Sequence, residues 1–156
     1  MVPLKTGDKA PLFNLPNQHA QIINSSDYIG KRIVLYFYPK AMTPGCTLQA
    51  CGLRDKMIFF TEKNIEVFGI STDTPKKLLH FTENQLLNFT LLSDKNHEVA
   101  EKFGAWGEKK IMGKPFRGMH RITFIINKQG FIEHIFKKFK INEHHKILLN
   151  YLSTHE

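Results

Sequence analysis

Apolar runs of strand length that alternate with helix-start signals predict an α/β fold built on a central mixed β-sheet flanked by helices. Ile33–Tyr38 is a β-branched and aromatic run without polar alternation, the pattern of a central strand covered on both faces, and Ile65–Ile70 is a second apolar run of strand length. Thr43-Pro44 and Thr74-Pro75 each offer an N-cap followed by proline at the first helical position. Near the C-terminus, Asn127-Lys-Gln-Gly130 is too short a link to join two strands other than as an antiparallel hairpin, so the sheet must be mixed.

Taken in order, Pro39 stops the first strand, and the helix opened by Thr43-Pro44 is expected to run to about Glu62 with Cys46 in its first turn. Ile33 to Ile70 then reads as strand, helix, strand with a parallel crossover. A second helix is expected from Thr74-Pro75 to about Gln85, a short strand at Phe89–Leu92, and a helix from Asn96 to Phe103 closed by Gly104. Gly104, Gly107, Gly113 and Gly118 punctuate a Lys- and Arg-rich stretch that matches no phosphate-binding glycine pattern and reads as a mobile loop. Trp106 is expected to anchor it. The hairpin strands are Ile122–Ile126 and Phe131–Phe136. Asn142 can cap a last helix with Ile147, Leu148, Tyr151 and Leu152 on its apolar face, its His and Lys positions turned mainly outward.

Composition narrows the function. With 156 residues and 42% hydrophobic content the chain can bury a core without staples, and no repeat or linker divides it, so residues 1–156 read as one domain. Met1–Ala10 lacks the apolar core of a signal peptide and Ile33–Tyr38 is too short to span a bilayer, so a soluble, cytoplasmic protein without a membrane partner is expected. The net charge is +8, but the 22 basic residues never exceed two in a row, which argues against a nucleic-acid partner. The eight histidines are scattered, and on a helix the adjacent His144-His145 would point about 100° apart, so no metal site is expected.

Two cysteines are too few for a secreted disulfide scaffold. If Thr43 is the N-cap, Cys46 is the third helical residue, where unpaired backbone N–H groups and the helix dipole favour a thiolate. Gly45 beside it would let a small anion approach the backbone. The residues alone leave Cys46 either as a reactive thiolate or as an inert buried cysteine. Cys51 is likewise either a redox partner or a small core residue. On one helix the two Cα atoms stand roughly 8 to 9 Å apart, beyond the ~7 Å a disulfide spans, so pairing them requires the helix start to unwind.

The segment Tyr38-Pro39-Lys-Ala-Met-Thr43-Pro-Gly-Cys46-Thr-Leu-Gln-Ala-Cys51-Gly-Leu-Arg-Asp55 contains the pattern Pro-x-x-x-Thr-x-x-Cys. It closely resembles the active-site segment of peroxiredoxins of the bacterioferritin-comigratory-protein (peroxiredoxin Q) branch. Gly7-Asp8-Lys-Ala-Pro11, Gly69-Ile-Ser71 with Asp73, Phe103-Gly-Ala-Trp106-Gly-Glu-Lys109 and Gly118-Met-His-Arg121-Ile-Thr-Phe124 extend the resemblance over nearly the whole chain.

The resemblance implies a thioredoxin-like fold and a thiol peroxidase that needs no cofactor. Cys46 would attack hydrogen peroxide or an organic hydroperoxide, Thr43 orient it, Pro39 shield the pocket, and Arg121 support thiolate and transition state. A guanidinium suits that last role, because its charge favours the thiolate and its planar fork can donate to peroxide oxygen as charge moves onto the leaving group. Cys46 would become a sulfenic acid, Cys51 would condense with it, and thioredoxin or a similar dithiol protein would reduce the disulfide. Resolution within one chain makes a monomer sufficient.

Two other functions fit parts of the pattern less well. A thiol-disulfide oxidoreductase would carry two residues between its cysteines, where this chain has four. A basic binding module on the same fold would have no need of Thr43, Cys46 and Arg121 together.

Overall fold

The computed structural model describes residues 4–156; Met1–Pro3, the start of the segment read above for an export signal, lie outside them. A short hairpin, β1 (Asn14–Pro16) and β2 (Ile22–Asn24), opens the chain and leads into β3 (Arg32–Phe37). Helices α1 (Pro44–Arg54) and α2 (Met57–Glu62) carry it to β4 (Ile65–Ser71), and α3 (Pro75–Gln85) to β5 (Thr90–Ser93). After α4 (Glu98–Lys102) come β6 (Trp106–Ile111), β7 (Lys114–Met119), β8 (Thr123–Ile126) and β9 (Ile132–Phe136), and α5 (His144–Thr154) closes the chain.

The main sheet has the order β5-β4-β3-β8-β9, parallel from β5 to β3 and antiparallel from β3 to β9. The sequence reading of a mixed sheet with Ile33–Tyr38 at its centre therefore holds. Alternation along β3 explains its unbroken apolar run. Ile33, Leu35 and Phe37 enter one buried cluster with Phe68, Ile70 and Phe124, whereas Val34 and Tyr36 enter a second with Val67, Ile125, Ala50, Leu53, Leu148 and Leu152. Both faces are covered, α1 and α5 lying over the second. Among the described residues no helix is long and apolar enough to cross a membrane.

The expected helix from Thr43 to Glu62 is two helices. At its end the Arg54 carbonyl accepts a hydrogen bond from the Asn88 side chain, 3.3 Å, and the Arg54 guanidinium donates to the Gln85 carbonyl, 2.7 Å. Lys56 leaves helical geometry (φ −114°, ψ 11°), and α2 restarts so that Phe60 is buried. The stretch expected to be a mobile loop is instead the β6–β7 ribbon. Its two-residue turn, Met112-Gly113, has positive φ at both residues (51° and 81°), the geometry that matches strand twist in a tight hairpin. Pro115 is tolerated because a two-stranded ribbon consists of edges. Trp106 stacks on His97 with ring centroids 4.0 Å apart and packs against the first cluster, the anchoring role expected of it.

Two helix starts also differ from expectation. α4 begins at Glu98 rather than Asn96, because the Asp94 carboxylate accepts from the amides of Val99 and Ala100, 3.2 and 2.8 Å, and so caps the helix from outside. Asn142 does not cap α5. A 3₁₀ turn at Ile141–Glu143 precedes it and Glu143 holds the cap position. His144, expected to face outward, is fully buried.

Candidate active site

The central strand β3 ends at Phe37, level with the start of β8: Tyr36 faces Thr123 in the register, and the Phe37 amide donates to the Ile122 carbonyl, 2.9 Å. Arg121, one residue before that carbonyl, is thereby delivered to the place where the chain leaves β3 for α1. The connecting loop is braced by Asp73, whose carboxylate accepts from the Ala41 amide, 2.7 Å, and from the Ser71 hydroxyl, 2.8 Å. Pro39 lies half-buried in this loop.

Thr43 occupies the N-cap position of α1 with extended backbone (φ −78°, ψ 155°), Pro44 is the first helical residue and Cys46 the third. The Thr43 hydroxyl does not cap the helix; it donates to the Lys40 carbonyl, 2.8 Å. Among the described residues the Gly45 and Cys46 amides have no backbone acceptor, as expected for the first helical turn. Cys46, 1% exposed, receives a hydrogen bond on Sγ from Arg121 Nη2 at 3.2 Å. The second arm of the guanidinium, Nη1, donates to Gln49 Oε1 at 2.8 Å. A thiol, a helix N-terminus and a guanidinium thus meet at one point, an arrangement that stabilises negative charge on sulfur.

Gly45 makes this meeting possible in a way the sequence did not suggest. A Cβ there would stand 3.1 Å from Arg121 Nη2 and 3.2 Å from Ile141 Cδ1, so the space its missing side chain leaves is taken by the guanidinium. Cys51 lies on the same helix, half-buried, and its thiol donates to Gln85 Oε1 at 3.4 Å. Neither cysteine is in a disulfide.

Further residues belong to the site that the sequence did not single out. Gln49 is 1% exposed, and its Nε2 lies 3.2 Å from His144 Nδ1, while His144 Nε2 lies 2.8 Å from Thr123 Oγ1. Burial pushes His144 down to about 3, helped by the positive charges of His145 and Arg121, so the imidazole is neutral at any ordinary pH. Lys109 on β6 reaches back to donate to the Met119 carbonyl, 2.7 Å. Its ammonium is held below its ordinary range by burial and by Arg121, against the opposing pull of Cys46. Gln49 could have been found as a residue one turn after Cys46 on its buried stripe. His144 stands four and eight positions before Leu148 and Leu152, hence on their face.

Comparison with known proteins places this geometry. The profile of the AhpC/TSA family matches residues 6–135. Peroxiredoxin Bcp of Escherichia coli K12 is 56% identical over 155 residues, 99% of each chain. The putative peroxiredoxin bcp of Haemophilus influenzae is 54% identical, over 99% of each chain. Among solved structures, peroxidoxin BcpB of Mycobacterium tuberculosis superposes with a TM-score of 0.86 at 34% identity, covering 98% of this chain and 99% of its own. A cysteine-to-serine variant of Xylella fastidiosa PrxQ superposes with a TM-score of 0.93 at 28% identity, covering 99% of both. The thioredoxin-like fold expected from the sequence is therefore the fold of the chain, and the chain belongs to the AhpC/TSA family, in its Bcp/PrxQ peroxiredoxin branch, as a thiol peroxidase.

Proposed function

We propose that the Cys46 thiolate attacks the terminal oxygen of hydrogen peroxide or an organic hydroperoxide, breaking the O–O bond. Sulfur becomes a sulfenic acid, and the leaving hydroxide or alkoxide takes a proton to depart as water or alcohol. The observation that carries this reading is Arg121 Nη2 3.2 Å from the sulfur of a cysteine at the third position of a helix. The same guanidinium can donate to peroxide oxygen as negative charge moves away from sulfur, and the Gly45 and Cys46 amides offer donors on the other side. Thr43 spends its hydroxyl proton on the Lys40 carbonyl, which leaves its lone pairs to accept from the peroxide O–H and orient it. Pro39 screens the pocket from water.

Cys51 then displaces hydroxide from the sulfenic sulfur, giving a Cys46–Cys51 disulfide and water. Both cysteines belong to the eleven-residue α1, with Cα atoms roughly 8 to 9 Å apart by helical geometry, so α1 unwinds in each cycle. Thioredoxin or a similar dithiol protein returns both cysteines to thiols while its own pair becomes a disulfide. Residues 1–156 act as a single domain and as a monomer in the reducing cytoplasm, where such a reductant is present. The two apolar clusters on opposite faces of one sheet support the single domain.

The test is hydrogen peroxide consumption with thioredoxin, thioredoxin reductase and NADPH. Cys46→Ser is expected to lose turnover, and Cys51→Ser to consume one equivalent and then fail to recycle through thioredoxin. Full turnover by Cys46→Ser would overturn the proposal.

A further inference from the structure

We propose that His144 is a positioning residue for peroxide reduction: it fixes the Gln49 amide and, through it, the Arg121 fork against Cys46. This rests on the reading of Cys46 as the attacking thiolate. The direction of every hydrogen bond in the network follows from one fact, that a guanidinium only donates. Arg121 Nη1 at 2.8 Å requires the oxygen of the Gln49 amide to face it, so the amide nitrogen faces His144 Nδ1 at 3.2 Å. Nδ1 must then be the unprotonated acceptor, and the ring proton sits on Nε2, donated to Thr123 Oγ1 at 2.8 Å.

Water has no access to substitute for any of these partners. Gln49 is 1% exposed, and His144 and Thr123 are both 0% exposed. The imidazole is held between Phe139 (ring centroids 4.7 Å apart) and Tyr36 (5.6 Å), and Thr123 pairs with Tyr36 in the main sheet. Orientation is therefore referred to the central strands of the main sheet and passed outward through Thr123, His144, Gln49 and Arg121 to sulfur. Burial keeps His144 neutral, as the acceptor role requires.

A phenyl ring would fill the same space but would offer Gln49 no acceptor. The buried amide nitrogen would then be orphaned, and the readiest remedy is a flipped or swung amide that turns donor hydrogens toward the guanidinium. Arg121 would lose its second anchor while still being present.

The experiment is single-turnover oxidation of reduced Cys46 by hydrogen peroxide in wild type, His144→Phe, Arg121→Ala and the double variant, with thermal unfolding as the check on folding. His144→Phe is expected to slow oxidation about tenfold, one buried hydrogen bond's worth. In the Arg121→Ala background it should change the rate by less than about twofold, because the group it positions is gone. An unchanged rate in His144→Phe, or the same tenfold loss without Arg121, would overturn the proposal.

Should His144→Phe fail to fold, His144→Asn and His144→Gln decide. Asn places an oxygen near the position of Nδ1 and is expected to keep a rate near wild type. Gln reaches Thr123 but leaves Gln49 without an acceptor and is expected to be slow; the reverse order overturns the proposal. Absence of Cys46 oxidation in the wild type would instead contradict the peroxidase reading itself.

Discussion

Arg121→Ala is the substitution whose size the structure constrains best. Nη2 lies 3.2 Å from Cys46 Sγ. At that separation two unit charges in an effective dielectric near 20 attract by about 5 kcal/mol. Much of that attraction survives into the transition state, where the charge is spread over sulfur and both oxygens. What the arginine adds there is closer to one charge-assisted hydrogen bond, about 1.5 to 3 kcal/mol, which corresponds to a rate of peroxide oxidation roughly 10- to 150-fold lower. Stopped-flow oxidation of the reduced protein under excess peroxide measures it directly. Arg121→Lys keeps the charge but has no fork to span Cys46 and Gln49, and is expected to fall between alanine and wild type. Alkylation by a neutral haloacetamide, which reports the thiolate but needs no donor to peroxide, should fall less than peroxide oxidation. An Arg121→Ala rate within about twofold of wild type would refute the reasoning.

Gly45→Ala would push the guanidinium away from sulfur, since its Cβ would stand 3.1 Å from Nη2, and is expected to slow oxidation about tenfold with little change in melting temperature. Leu53→Ala removes a side chain that is 0% exposed beneath α1 and should cost about 2 to 5 kcal/mol in denaturant unfolding; a loss under about 1 kcal/mol would contradict the packing described. Acid stability tests His144. Its imidazole takes a proton only near 3 when folded but near 6.5 when unfolded, so the unfolded chain binds the extra proton between those values. Its contribution is present above the unfolded value and is lost as pH falls through this window, by about 1.4 kcal/mol per pH unit. In His144→Asn the decline between about pH 6 and 4 should be shallower by that slope, and an identical pH profile would contradict a buried neutral imidazole.

The parts of this structure visible in the sequence are those set by local chemistry. The apolar run at Ile33–Tyr38 had to be a doubly covered strand, and Thr74-Pro75 opens α3 as expected, the Thr74 hydroxyl accepting from the Lys77 amide, 3.4 Å. Cys46 at the start of a helix was likewise legible from Thr43-Pro44. Features set by partners distant in sequence were not. The end of α1 depends on Asn88 and Gln85, more than thirty residues away. The β6–β7 ribbon was hidden because its turn is Met112-Gly113, with a non-glycine residue at positive φ, rather than an Asn-Gly pair. Arg121 meets Cys46 only through the Tyr36–Thr123 register. Family resemblance named it, whereas composition and spacing could not. His144 was misread because polar residues near a helix start are usually solvated, although its spacing to Leu148 and Leu152 put it on the buried face.

The division of labour between the two cysteines is tested most directly by treating the reduced protein with one equivalent of hydrogen peroxide and reading the product by intact-mass and peptide mass spectrometry, with a sulfenic-acid trap present. The predicted result is loss of two hydrogens and a Cys46–Cys51 linked peptide in the wild type. Cys51→Ser should give trapped sulfenic acid at Cys46, and Cys46→Ser no oxidation. Sulfenic acid appearing first on Cys51, or a wild type whose only disulfide joins two chains, would contradict the account.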